Sequence, residues 1–259
     1  MGLNINTLRQ VKHGSRRWLW NVFYRGCKYI VLRRLNGTIA SGLFKGIQFT
    51  TSYISSTPMP KILGTYEKEI QEVLQKWSHD EFNRFINVGG AEGFYAVGIA
   101  KQFNVKEAII YEMLEEGQVM IRMLGEQNRI LPCVKIYSKC EEHDLYEICD
   151  ERANDLVLID VEGAEIELLS SRVVGKLRNS TIVVEAHDFK VTDCTNLVNQ
   201  MLSSTHVTKI ISSKVRIKKD FPLSYPFPKA IKLAMMDEQR PAIMNWIIAS
   251  PKKHGICLS

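Results

Sequence analysis

Asp155-Leu-Val-Leu-Ile-Asp160, continuing as Val161-Glu-Gly-Ala-Glu165, is the stretch on which the reading of this chain turns. Four consecutive apolar residues between two aspartates are too few for a helix. An apolar run without alternation is the mark of a strand buried on both faces. A Gly-containing acidic turn and a helix over Ala164 to Leu169 follow. Working outward, the same strand-then-helix unit recurs on both sides. Upstream, strands are predicted at Arg84–Gly89, Glu107–Glu112 and Val134–Tyr137, with helices over Gly93–Phe103, Glu115–Gln127 and His143–Cys149. A further helix over about Thr65–Trp77 precedes them, with Ile70, Val73, Leu74 and Trp77 at i, i+3, i+4 and i+7. Downstream come a strand at Thr181–Glu185, a helix at Leu197–Leu202 and two late strands, Val207–Ile211 and Trp246–Ala249, able to form an antiparallel edge. Buried strands alternating with helices specify an α/β fold, a mostly parallel sheet covered on both faces.

In such a sheet ligands bind beyond the carboxyl ends of the strands, and those ends carry the informative residues. The first ends in Asn87-Val-Gly-Gly-Ala-Glu-Gly93. Gly89, Gly90 and Gly93 allow close backbone approach, and the following helix offers N-terminal amides to an anionic group. The spacing is G-x-x-x-G rather than the dinucleotide G-x-G-x-x-G, which argues against a nicotinamide or flavin oxidoreductase. The second strand ends at Glu112, suited to accept hydrogen bonds from ribose hydroxyls. The fourth gives Asp160-Val-Glu-Gly-Ala-Glu165 and the fifth Glu185-Ala-His-Asp188. Acids and a histidine at neighbouring strand ends converge on one cleft, where they can take a proton or hold a divalent metal. Each of them alone is also what a helix cap or a surface charge looks like.

The run Phe85-Ile-Asn-Val-Gly-Gly-Ala-Glu-Gly-Phe-Tyr95, then Tyr111-Glu112, Leu158-Ile-Asp-Val-Glu-Gly-Ala-Glu165 and Val183-Val-Glu-Ala-His187 resembles the FkbM-type methyltransferases, of the class I S-adenosylmethionine-dependent fold. D-V-E-G-x-E is the specific part; the glycine turn is shared by many methyltransferases. The resemblance covers about residues 64–250, including Gly64-Thr-Tyr-Glu67 and the tail Met236-Asp-Glu-Gln-Arg240 with Met244-Asn-Trp246. It implies a Rossmann-like three-layer sandwich around a seven-stranded sheet, S-adenosylmethionine as donor, and O-methylation of a sugar, polysaccharide or natural-product hydroxyl. It places Gly89, Gly90 and Gly93 at the donor's methionine end, Glu112 and Met113 at the ribose, Cys140 and Glu141 beside the adenine, and Asp160 at the methyl-transfer site. The chain departs once: the first-strand acid of the fold is Asn87 here, which can hydrogen-bond an ammonium group without supplying charge.

Methyl transfer to a hydroxyl needs alignment and a base. His187 is the first choice, with an ordinary pKa near ~6.5; Asp160 is second. A divalent metal on Asp160 and Glu185, acidifying the hydroxyl, is the third. No N/D-P-P-Y tetrad follows the fourth strand, which, on the resemblance, argues against amino-group methylation of a base. A non-catalytic binding module on the same fold is the competing class.

The charge is divided unevenly. Residues 1–66 carry ten Lys/Arg and no acid, whereas the other 193 residues hold 24 basic and 28 acidic side chains. Three parts are expected: a basic amphipathic helical extension over 1–35, a loop or hairpin linker over 36–63 with a hairpin near Leu43–Thr50, and the methyltransferase domain over 64–259. The head, helical over 8–34, reads as a solvated extension or oligomer contact. It reads next as an interfacial helix on an anionic membrane, anchored by Trp18, Trp20, Phe23 and Tyr24, and last as an RNA-binding segment serving an RNA-directed methyltransferase. Nucleic acid is the least favoured partner and a small-molecule or glycan acceptor the most favoured. The oligomeric state is not legible. The six cysteines form no C-x-x-C pair and fit a reducing cytosol, at most with peripheral contact to the inner membrane surface. Trp18–Leu32 is interrupted by Arg25 and Lys28, so neither a spanning helix nor a signal peptide is expected. Met1-Gly2 has Asn6 where a myristoylation signal has Ser or Thr.

Overall fold

A computed structural model of the chain describes residues 5–49, 57–77 and 82–252, giving the backbone alone for 5–17. Seven strands form one sheet: β1 Phe85–Val88, β2 Ala108–Tyr111, β3 Val134–Tyr137, β4 Leu156–Ile159, β5 Thr181–Ala186, β6 His206–Ser212 and β7 Asn245–Pro251. Their order is β3-β2-β1-β4-β5-β7-β6, parallel from β3 through β5, with β7 antiparallel to both β5 and β6. The seven-stranded, mostly parallel sheet of the sequence reading is present, with the late strands as its antiparallel edge.

Register positions the site. Val88 is paired with Tyr111 on one side and Ile159 on the other, and Ile159 with Val184. The next residues, Gly89, Glu112, Asp160 and Glu185, therefore emerge level at one edge. Alternation divides the strands between two cores. Phe85, Ala108, Ile110, Leu156, Leu158 and Val183 pack against α3 (Lys68–Lys76), α4 (Phe94–Gln102), α5 (Glu115–Gln127) and α10 (Lys229–Met235). Ile86, Val88, Ile109, Val157, Ile159 and Ile182 pack against α6 (Glu142–Ile148), α7 (Glu165–Leu168), α8 (Ser171–Lys176) and α9 (Cys194–Ser203).

Three local differences from the sequence reading have physical causes. α3 begins at Lys68 rather than Thr65, because the amides of Thr65 and Tyr66 both bond back to the Pro60 carbonyl and Glu67 is left-handed. Pro60 belongs to α2 (Pro58–Leu63), a short helix closed by left-handed Gly64. Within 36–63, Ile39, Phe44, Phe49, Met59 and Leu63 enter the first core, and Thr38 bridges Gln48; Thr50, the end of the expected hairpin, lies outside the described residues. α8 and α10 are too short to show a helical period, and Ser170 starts α8 by accepting from the Val173 amide. The head forms α1 (Ile5–Leu35), about 46 Å long. Cys27 and Val31 are buried in the first core, and Tyr24, Leu32 and Leu35 pack on it.

Candidate functional site

A cavity of about 330 Å³ opens at the level strand edge. Its walls include Gly89, Ala91, Glu112, Met113, Cys140 and Asp160. The β1–α4 loop lies against β4 so tightly that a side chain on Gly89, whose φ is +88°, would place its Cβ 1.7 Å from the Asp160 carbonyl oxygen. Glu112 fixes the loop's other side. Its carboxylate accepts the Ala91 amide at 2.6 Å and the Leu114 amide at 2.8 Å. Beneath the loop, Glu92 turns inward to pair with Lys61, whose ammonium sits 4.6 Å from the Tyr66 ring centre. Met113 and Leu114 are more than half exposed at the cavity, an apolar lip beside a polar floor.

Several residues proposed from sequence do not line this cavity. Gly90 and Gly93 back onto Ile110, Ile121 and Leu124, where they let α5 pack close. Asn87 lies on the face of β1 opposite Val88 and is fully buried; its amide bonds the Leu158 carbonyl at 3.4 Å and its Oδ1 has no partner. Glu141 is the N-cap of α6. Its carboxylate and that of Asp144 close a capping box, which turns it away, and Ser138, Lys139 and Cys140 line the wall instead.

Asp160 is the hinge between this cavity and a buried ionic cluster. Arg240 donates to Glu185 at 2.8 Å and to Glu238 at 2.7 Å, and also pairs with Glu67. Tyr95 hydrogen-bonds the second oxygen of Glu67. Arg216 joins the same array, bonding Glu238 and Glu69 at 2.6 Å each. Carboxylates outnumber guanidinium groups here, so burial is costly to the charged form. Burial, reinforced by Glu67 and Glu162, pushes Asp160 up to about 7. Burial and the neighbouring Asp160 raise Glu185, and burial raises Glu67 against the pull of Arg240.

His187 stands behind Asp160. Its Nδ1 is 2.6 Å from the fully buried Glu165, and its Nε2 faces Asp160 at 3.6 Å and Glu162 at 3.7 Å. The ring is 2% exposed, against 29% for the Asp160 side chain, and it does not line the cavity. Burial alone would lower its pKa; the Glu165 hydrogen bond and surrounding carboxylates overcome this and raise it. Glu165 is lowered in turn, because the imidazole and the Gly163 amide outweigh its burial. Asp160, Glu185 and His187 each offer one donor atom, all within 4.8 Å of one another, so the three could also hold a divalent cation. Glu67, Tyr95, Glu165, Arg216 and Arg240 are site residues that the sequence reading did not assign. Glu67, Tyr95, Glu165 and Arg240 lie inside quoted motifs without a role there.

A second cavity of about 540 Å³ lies on the Arg240 side, lined among others by Val215, Arg216, Leu233, Glu238, Arg240 and Ile243. The ionic cluster thus separates two cavities, with Asp160 facing the smaller and Arg240 the larger.

No protein-family model matches the chain, and no curated protein matches its sequence. Solved structures do. Precorrin-6y C5,15-methyltransferase from Geobacter metallireducens superposes with a TM-score of 0.51 at 14% identity, over 71% of this chain and 88% of that one. Precorrin 8w decarboxylase from Methanobacterium thermoautotrophicum gives 0.49 at 12% identity, over 70% and 89%. An O-methyltransferase from Bacillus cereus, solved with SAH, gives 0.45 at 11% identity, over 78% and 84%. At such identities the likeness is one of architecture, and with the strand order above it shows that this chain has the Rossmann-like class I methyltransferase fold.

Proposed function

We propose that the protein is an S-adenosylmethionine-dependent methyltransferase of the FkbM type, acting on a hydroxyl of a sugar, glycan or natural-product acceptor. The observation that carries this reading is the level array of Gly89, Glu112 and Asp160 around one cavity, with the Asp160 carboxyl tuned to about 7. The residues fit the donor: a side-chain-free turn at Gly89 for its amino-acid end, Glu112 for ribose hydroxyls, and Met113, Leu114 and Cys140 as apolar walls for the adenine. When bound, the donor supplies an electrophilic methyl group on a sulfonium.

Of the two candidate bases Asp160 lines the cavity and His187 does not, so Asp160 takes the role of base. With a pKa near neutrality, it accepts the acceptor's hydroxyl proton as the oxygen gains the methyl group. Glu185, fixed by Arg240, lies close enough to share that proton. His187, held by Glu165, is a positioning residue whose ring stands behind Asp160. The acceptor's hydroxyl enters the smaller cavity beside Asp160, since the ionic cluster separates that cavity from the larger one beyond Arg240.

Calorimetry with S-adenosylmethionine, followed by transfer of labelled methyl into a native lysate, tests the reading. Saturable binding and label in glycan or small-molecule fractions are expected. No binding by folded protein overturns the enzyme reading, and label confined to RNA or protein overturns the acceptor class.

A further inference from the structure

α1 leaves the body with two apolar faces, and the fold uses only one. Tyr24, Cys27, Val31 and Leu35, at helical spacing, face the core. On the opposite side Trp18, Val22 and Tyr29 are 64%, 50% and 61% exposed, with Leu19, Phe23 and Ile30 beside them at 59%, 51% and 48%. Arg25 and Arg33 fall on the same outward stripe, at i+7 and i+15 from Trp18. Exposed apolar side chains running together over three helical turns mark an interaction surface. Its neighbours are basic: Arg34 lies 5.7 Å from the Tyr225 ring centre, α1 packs on α10, and Lys218, Lys219 and Lys229 line a shallow pocket of about 410 Å³ next to α10.

We infer that the outward face of α1 is a docking surface for an anionic lipid membrane, on which the helix lies parallel to the bilayer plane. Two features choose this occupant. Residues 1–66 contain ten Lys/Arg and no acid, so a second copy of α1 would meet like charge along its whole length. The exposed side chains are Trp, Tyr, Phe and aliphatic residues interleaved with arginine, the mixture that suits the boundary between headgroups and acyl chains. No helix among the described residues is long and apolar enough to cross a membrane, so the helix rests on the surface. The consequence for the site is spatial. Tyr24 reaches the Ala234 carbonyl, and Ala234 and Leu233 line the larger cavity, so docking by α1 holds that cavity next to the lipid. The inference is independent of the methyl-transfer reading.

Sedimentation of the full chain with phosphatidylglycerol-containing vesicles, against phosphatidylcholine alone, is the test. The wild type is expected to co-sediment with the anionic vesicles only and to be released by salt. The triple variant Trp18→Ser, Val22→Ser, Tyr29→Ser touches no buried side chain and is expected to lose roughly tenfold in partitioning, with an unchanged circular dichroism spectrum. Arg25→Gln with Arg33→Gln should remove part of the salt-sensitive component. Failure of the wild type to sediment, equal binding to neutral vesicles, or unchanged binding of the triple variant overturns the inference. So does concentration-dependent dimerisation or RNA binding that the triple variant abolishes while vesicle binding is absent.

Discussion

The two sides of Asp160 are built by different means. Towards the smaller cavity the wall is main chain: a turn that excludes a Cβ at Gly89, two amides gathered by Glu112, and strand ends brought level by register. Towards the larger cavity the wall is ionic side chains, with Arg240 clamping Glu67, Glu185 and Glu238. A main-chain wall recognises a fixed shape and tolerates little change. A side-chain wall sets proton affinity and can be retuned one residue at a time. The first suits a cofactor of constant structure, the second the proton that Asp160 takes up.

The sharpest way to break this division is Asp160→Asn. Turnover should fall by about 10²- to 10⁴-fold while donor affinity stays nearly constant, measured by labelled-methyl transfer and calorimetry. The same variant should be more stable than wild type at pH 8. A carboxyl whose folded pKa is raised contributes stability that is full below its unfolded value of 3.8 and lost as pH rises through about 7, and an amide escapes that loss. A lower melting temperature at pH 8 would contradict the assigned strain.

Arg240→Met comes next. It leaves Glu67, Glu185 and Glu238 buried without their shared cation, and about 3–5 kcal/mol of stability should go with it. Roughly 2–4 °C in melting temperature per kcal/mol is the readout. Arg240→Lys should recover only part, because one ammonium cannot replace the guanidinium fork. If Arg240→Met melts like wild type, the ionic wall is not what holds the two cavities apart.

The pH profile sharpens the comparison further. Turnover should climb about tenfold per unit below pH 7 and level off above it, with the apparent pKa belonging to Asp160 and Glu185 as a pair. A profile flat from pH 5 to 8 would remove Asp160 as the base. The smallest effect is expected from Glu141→Ala: a loss of about 1 kcal/mol for the α6 cap and no change in donor affinity by calorimetry.

The main-chain wall was legible in the sequence because each part is contiguous: an apolar strand, then the residues that leave it. Asp160, Glu112 and Gly89 are all read that way. The ionic wall was not, since Glu67 at the start of α3 and Arg240 in the loop before β7 lie 173 residues apart. Asn87 and Glu141 are donor-binding residues only by the resemblance; strand alternation sends the first into a core and a capping box occupies the second. His187 lies beside Asp160 with its ring buried, and burial is a property of packing that a histidine's sequence neighbours do not report.

The sheet's edge order has a consequence for assembly. Among the described residues β6 pairs only with β7, and β7 lies between β5 and β6 although it comes later in the chain. During synthesis β1 to β5 can therefore form a sheet that ends in an open flank at β5, with β6 waiting beside it unpaired. Glu238 and Arg240 arrive only just before β7. A nascent chain would hold a finished main-chain wall while Glu67 and Glu185 still lacked their guanidinium partner, and the insertion of one strand would close the flank as Arg240 reached both.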